Sequence, residues 1–252
     1  MKKITALLVV LFLAFGCFGL QANYAGYIEQ RDQYLTFHQS YLLAKQAHQN
    51  YQTLKTKQEL FESLKQVLFW RDEFLGGYLS LLIDEGRSLI PDQIGVLQDY
   101  RIWLGQDKQA ALATSSLESA VTVAEGLELE YPVMEKGIFV FLTELTIARQ
   151  NLVLEKIRLL VPEVEAETKH AFDRQEDLFS WRAEIETELQ EVERLQLLAR
   201  QEMADSRSRR IGDAASDWKT VKKLLVQSGG HLNTTLAFLE ETIINFEKGI
   251  LD

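Results

Sequence analysis

The chain has 252 residues, 46% of them hydrophobic and 25% charged, with a formal net charge of −10. That apolar content excludes a disordered chain. The acidic balance, 27 Lys+Arg against 37 Asp+Glu, argues against nucleic acid or anionic headgroups as partners, since both need cationic surface.

Lys2 and Lys3 precede an uncharged run from Ile4 to Leu20 that is rich in Leu, Val and Phe. A basic flank before an apolar run is the pattern of an export signal or membrane anchor. The basic end stays in the cytoplasm, so the chain beyond Leu20 is placed outside it. Three fates fit residues 1–22: cleavage after Ala22, retention as an anchor, or lipidation at Cys17. The stretch Ala14-Phe15-Gly16-Cys17 resembles a bacterial lipobox, although Ala14 stands where Leu is usual and Phe15 where a small residue is usual. Cys17 is the only cysteine, so the remainder forms no disulfide and depends on packing. No later stretch reaches roughly 18 uncharged apolar residues, the span of a bilayer. Residues 23–252 are therefore expected to form a single extracytoplasmic domain.

Apolar spacing is helical from there on. Over Tyr24 to Leu54, Tyr27, Tyr34 and Tyr41 recur every seven residues with Ile28, Leu35 and Leu42 beside them, read as one stripe. Such rings form either a core edge with wet hydroxyls or a ligand or partner surface. Over Gln58 to Glu85 the face is Leu60, Leu64, Leu68, Leu75, Tyr78 and Leu82. Gly76-Gly77 lies mid-helix at about 1 kcal/mol per glycine relative to Ala, which points to a close crossing or a kink. Gly86 reads as a helix stop and Pro91 as the first turn of a third helix. That segment runs to Glu130 through Ile94, Leu97, Arg101 and Leu104, with an interruption at Gly105-Gln106-Asp107 and small residues from Ala110 to Ser116.

A fourth segment starts at Pro132, with Met134, Ile138, Phe141, Leu145, Ala148, Leu152 and Leu159 on its face. Pro162 either starts a fifth helix or kinks a continuous one. Next, Ala171, Leu178, Ile185, Val192 and Ala199 recur every seven residues, with Leu189 and Met203 four after members of that row. This is coiled-coil spacing. After a turn at Asp205 to Asp213, a last helix carries Trp218, Val221, Leu225, Leu232, Leu236, Leu239, Ile243, Phe246 and Ile250, with Gly229-Gly230 as a break. No strand signal appears. The expected fold is all-α: an elongated antiparallel helical bundle with coiled-coil-like long helices, preceded by the signal or anchor segment.

Chemical motifs are missing. There is no Gly-Lys-Ser/Thr phosphate loop, no Gly-x-Ser-x-Gly and no His-Glu-x-x-His. Glu167-x-x-His170 is half of a carboxylate-bridged metal site. The residues three before His38, His48 and His231 are Leu35, Lys45 and Ser228, so no second half exists. No spacing ties His231 to Ser228, Thr234 or Thr235. Glu184, Glu188 and Glu191 share a helix face; on the helix surface Arg182 is expected to pair with Glu186 and Arg194 with Glu191. Arg207-Ser208-Arg209-Arg210 reads as a solvated turn. No catalytic, cofactor-binding or metal residue is assigned.

The short Lys-Lys flank points to a bacterial protein. The expected function is structural or protein-interacting, in the cell envelope on the outer side of the cytoplasmic membrane. The membrane is engaged through the N-terminal segment, and a protein or a second copy through helical faces. The alternative, suggested by the tyrosine stripe together with Gly76 and Gly77, is a sensor-type module binding a small ligand in a pocket lined by the rings of Tyr27, Tyr34 and Tyr41.

Overall fold

The structure, a computed structural model, describes residues 21–168, 175–208 and 214–251. These fold into six helices: α1 (Gln21–Tyr51), α2 (Leu54–Leu89), α3 (Ile94–Ala113), α4 (Leu117–Thr168), α5 (Gln175–Ser208) and α6 (Ala214–Leu251), with a 3-10 turn at Pro91–Gln93 before α3. No strand occurs among the described residues. The chain clusters into two compact units, one reaching Ile138 and one starting at Phe139, and α4 contributes to both.

In the first unit, facing pairs fix helix direction. Tyr27 meets Tyr78, Tyr34 meets Phe74 and Phe37 meets Trp70, while His48 Nδ1 lies 3.0 Å from Thr56 Oγ1. Numbers rise on α1 as they fall on α2, so the two are antiparallel. The turn between them needs two residues. Gln52 takes the left-handed backbone (φ 46°) and donates its N–H to His48 O. Thr53 then caps α2 in a reciprocal box with Thr56, satisfying donors that a helix start leaves open. Lys65 with Thr114, Arg71 with Asp107 and Ser80 with Arg101 run antiparallel across α2 and α3. The small stretch before Leu117 is a helix end and a new start. Ser116 and Ser119 exchange side-chain and backbone hydrogen bonds there. Ala111 and Ala120 pack without exposure against Phe61, Leu64, Val67 and Leu68; their size lets α3 and α4 approach α2.

In the second unit, Glu165 faces Arg182, Arg158 faces Glu193 and Glu144 faces Arg200, so α5 returns antiparallel to α4. Glu188 faces His231 and Val192 O accepts from Ser228, so α6 is antiparallel to α5. It therefore lies parallel to α4, with Phe139 stacked on Trp218 and Gln150 bonded to Leu225 O. The predicted coiled-coil row is, from Ile185 on, a buried seam: Ile185, Leu189, Val192, Ala199 and Met203 all lie in the core. Each buried Leu, Ile or Val there contributes about 1.5–3 kcal/mol.

Several expectations are corrected. α4 runs unbroken through Pro132 as well as Pro162. A proline inside a helix costs about 3 kcal/mol, and burial of Leu127, Met134 and Ile138 around the first and Ile157, Leu160 and Val164 around the second offsets it. Leu152 and Leu159 point outward, 47% and 71% exposed, whereas Val153, Leu154, Ile157 and Leu160 are buried. Gly86 does not end α2: it is buried inside the helix, and its carbonyl accepts from the cap residue Ile90. Neither Gly105 in α3 nor Gly229-Gly230 in α6 breaks its helix. By length and composition, Leu117–Ala166 is the one described stretch apolar enough to cross a membrane. Its side chains also supply core to both units.

Candidate functional site

α1 has two different faces. The inner one carries Tyr27, Tyr34 and Tyr41, which lean on α2. Tyr27 stacks on Phe74 at 5.3 Å and Tyr34 on Phe74 at 5.7 Å. Tyr34, Phe37 and Tyr41 pack against the first unit's core. Burial pushes the Tyr27 and Tyr78 phenols above their usual range. The outer face carries the leucines. Leu35 and Leu42 are each 49% exposed and Leu43 is 68% exposed. The expected single stripe is thus split, with rings inward and leucines outward. No described side chain of α1 is fully buried.

The glycine pair marks a close crossing. A Cβ on Gly77 would sit 2.1 Å from Gln30 Oε1 of α1, whereas one on Gly76 would meet nothing within 4 Å. Gln30 Oε1 is buried without a conventional hydrogen-bond donor, held against the Gly77 backbone. Next to this crossing lies a cleft of about 240 Å³ lined by Gln30, Asp72, Glu73, Gly76, Gly77, Ser80, Arg101, Leu104, Gly105 and Lys108. None of the tyrosines lines it.

Beneath the cleft is a buried ionic cluster. Arg71 Nε donates to Asp72 Oδ1 at 2.9 Å, and Arg71 Nη2 donates to Asp107 Oδ2 at 2.7 Å. Two carboxylates thus share one guanidinium, and Glu73 pairs with Lys108 beside them. Asp72 is only 3% exposed, and its Oδ2 has no partner. Burial pushes the Asp72 carboxyl up to about 7. Arg71 opposes that shift by charge and hydrogen bond, and Asp107 reinforces it by charge and by a hydrogen bond to the protonated form. Nothing in the sequence pattern alone singles out this cluster. Its one trace is an acidic residue in the apolar row Leu64, Leu68, Asp72, Leu75, Leu79, at helical spacing.

The second unit holds a buried neutral cluster. Gln150 Nε2 donates to Leu225 O (2.8 Å), and Gln150 Oε1 accepts from Gln196 Nε2 (3.2 Å) and Ser228 Oγ (3.0 Å). A Cβ on Gly229 would lie 3.5 Å from Gln150 Nε2, so the glycine makes room for the amide.

Of the histidines, His231 Nδ1 lies 2.6 Å from Glu188 Oε2, at the edge of an open groove lined by Glu191, Arg194, Gln227 and Thr234. The neighbouring hydroxyls are committed elsewhere: Ser228 to Gln150, Thr234 to Gly230 O and Thr235 to His231 O. His231 therefore has an orienting carboxylate and no nucleophile aimed at it, which is not a hydrolytic triad. Arg194 grips Glu191 as expected, but Arg182 reaches across to Glu165 of α4 instead of Glu186. Among the described residues, no group of three His, Cys, Asp or Glu is placed to hold a metal.

Residues 1–20 with Cys17, His170 and Ala171, Arg209 and Arg210, and the side chains of Glu167, Leu178, Phe246 and Ile250, lie outside the described part of the chain. No family model matches the sequence, no curated protein matches it, and no solved structure matches the fold.

Proposed function

We propose that the chain is an exported helical-bundle protein, tethered through its N-terminal segment, that works in the cell envelope by binding a protein partner or a second copy of itself. The observation that carries this reading is the outer face of α1. Leu35, Leu42 and Leu43 stand about half exposed or more on a helix with no fully buried side chain among those described. A helix covered on one side, with large apolar residues on the other, fits a surface that a partner covers. The heptad row of α5 from Ile185 to Met203, by contrast, is used up inside the second unit. The Lys2-Lys3 flank and the apolar run to Leu20 support export and tethering. The test is native mass spectrometry on the full chain, with and without the triple change Leu35→Glu, Leu42→Glu, Leu43→Glu. The expected result is a discrete oligomer or a captured protein for the parent, lost in the variant while far-ultraviolet helicity is kept. A parent that is monomeric and alone, or an assembly that survives the triple change, refutes the reading.

The cleft above Asp72 supports a second reading, a small-ligand module. There the pocket is bounded by Gln30, the glycine pair and charged groups, in place of the tyrosine rings. A metabolite library that leaves the melting temperature unmoved would remove it.

A further inference from the structure

Two carboxylates on different helices converge on one guanidinium, and one of them has an oxygen that reaches neither a donor nor water. With Asp72 and Asp107 both ionised, Arg71 neutralises only one charge, and a second negative charge stays buried between α2 and α3. A buried charge without compensation is expensive, and so is a buried acceptor without a donor. One proton on Asp72 Oδ2 removes both costs, because it cancels the excess charge and supplies the hydrogen with which Asp72 donates to Asp107. The surrounding groups do not provide this. On α2, Glu73 is matched by Lys108 of α3. Arg101 of α3 reaches Ser80 Oγ at 3.4 Å. α1 contributes the uncharged Gln30 to the cleft.

We propose that Arg71, Asp72 and Asp107 form a proton-operated latch that holds α3 on α2 when Asp72 is protonated and loosens it when the proton leaves. The adjoining cleft, which Asp72 helps to line, is the route by which water reaches the carboxylate once α3 relaxes. In the closed state Asp72 titrates near neutrality. In the loosened state it is hydrated and titrates like an ordinary aspartate, near 4. The closed state therefore binds the proton more tightly. The latch is complete below about pH 4, weakens as pH rises, and is fully released above about pH 7.

The test is amide hydrogen exchange on the full chain between about pH 5 and about pH 8, corrected for the intrinsic rate at each pH. The α3 amides are compared with those of α6 in the same samples. The opening constant of α3 is expected to rise on the order of tenfold per pH unit up to about pH 7 and then level off, with no matching rise in α6. In Asp72→Asn the amide replaces the protonated acid, accepting from Arg71 and donating to Asp107, so α3 stays closed across the range. In Asp107→Asn the excess negative charge is gone, and the slope shrinks. A flat parent profile, an Asp72→Asn or Asp107→Asn profile with the parent's slope, or an equal rise in α6 overturns the proposal.

Discussion

Each unit buries a polar cluster between its helices, and the two clusters solve the problem in opposite ways. In the second unit the Gln150 amide spends its donor and its acceptor on three neutral partners. In the first, Arg71, Asp72 and Asp107 bring formal charges together with one more negative than positive. A fully satisfied neutral network fixes register and is indifferent to pH. An ionic one with an odd charge is sensitive to the solvent's proton concentration even though it is largely buried. Similar burial thus yields a passive lock in one place and a titratable one in the other.

The comparison is broken most strongly by Arg71→Ala. This leaves two buried carboxylates without a cation and should cost about 3–5 kcal/mol near neutral pH. The loss should shrink on acidification, which urea unfolding followed at two pH values would read. Gln150→Leu should cost less, about 1–3 kcal/mol, because it takes away the acceptor of the buried Gln196 amide, while Ser228 keeps the Val192 carbonyl. Its cost should not change with pH; a pH-dependent loss would mean that the second unit also hides a titrating group. The smallest effects come from the glycines. Gly76→Ala meets open space and should stabilise by up to about 1 kcal/mol. Gly77→Ala must displace the Gln30 amide, so the same gain should be cancelled or reversed. Equal melting temperatures for the two alanine variants would show that the crossing at Gln30 does not discriminate between them.

Helix identity was legible because apolar spacing is a direct record of which face meets a core. Leu60, Leu64, Leu68 and the row from Ile185 to Met203 are buried as their spacing predicts. Helix ends were harder, because prolines and glycines state only local preferences. Pro132 was outvoted by burial on either side of it, and the true start at Thr53 rests on a threonine pair that serves as its own cap. The polar clusters were nearly invisible. Asp72 and Gln150 are single polar residues in apolar rows, and their meaning lies in Asp107, Gln196 and Ser228, which only the folded chain brings near. The tyrosine heptad was legible as a pattern but not as a direction. Neighbouring residues on a helix differ by about 100°, enough to turn Tyr34 inward and leave Leu35 outside.

The two-residue turn at Gln52 and Thr53 has a mechanical consequence. It closes the α1–α2 hairpin at the end away from Gln21, so a pull transmitted from the residues before α1 arrives at the open end. Strain would meet the Tyr27 contacts with Phe74 and Tyr78 first, then Tyr34 on Phe74, then Phe37 on Trp70. Contacts loaded one after another unzip at lower force than contacts sheared together. α1 would therefore peel from α2 as a compliant strap before the rest of the first unit's core felt the load.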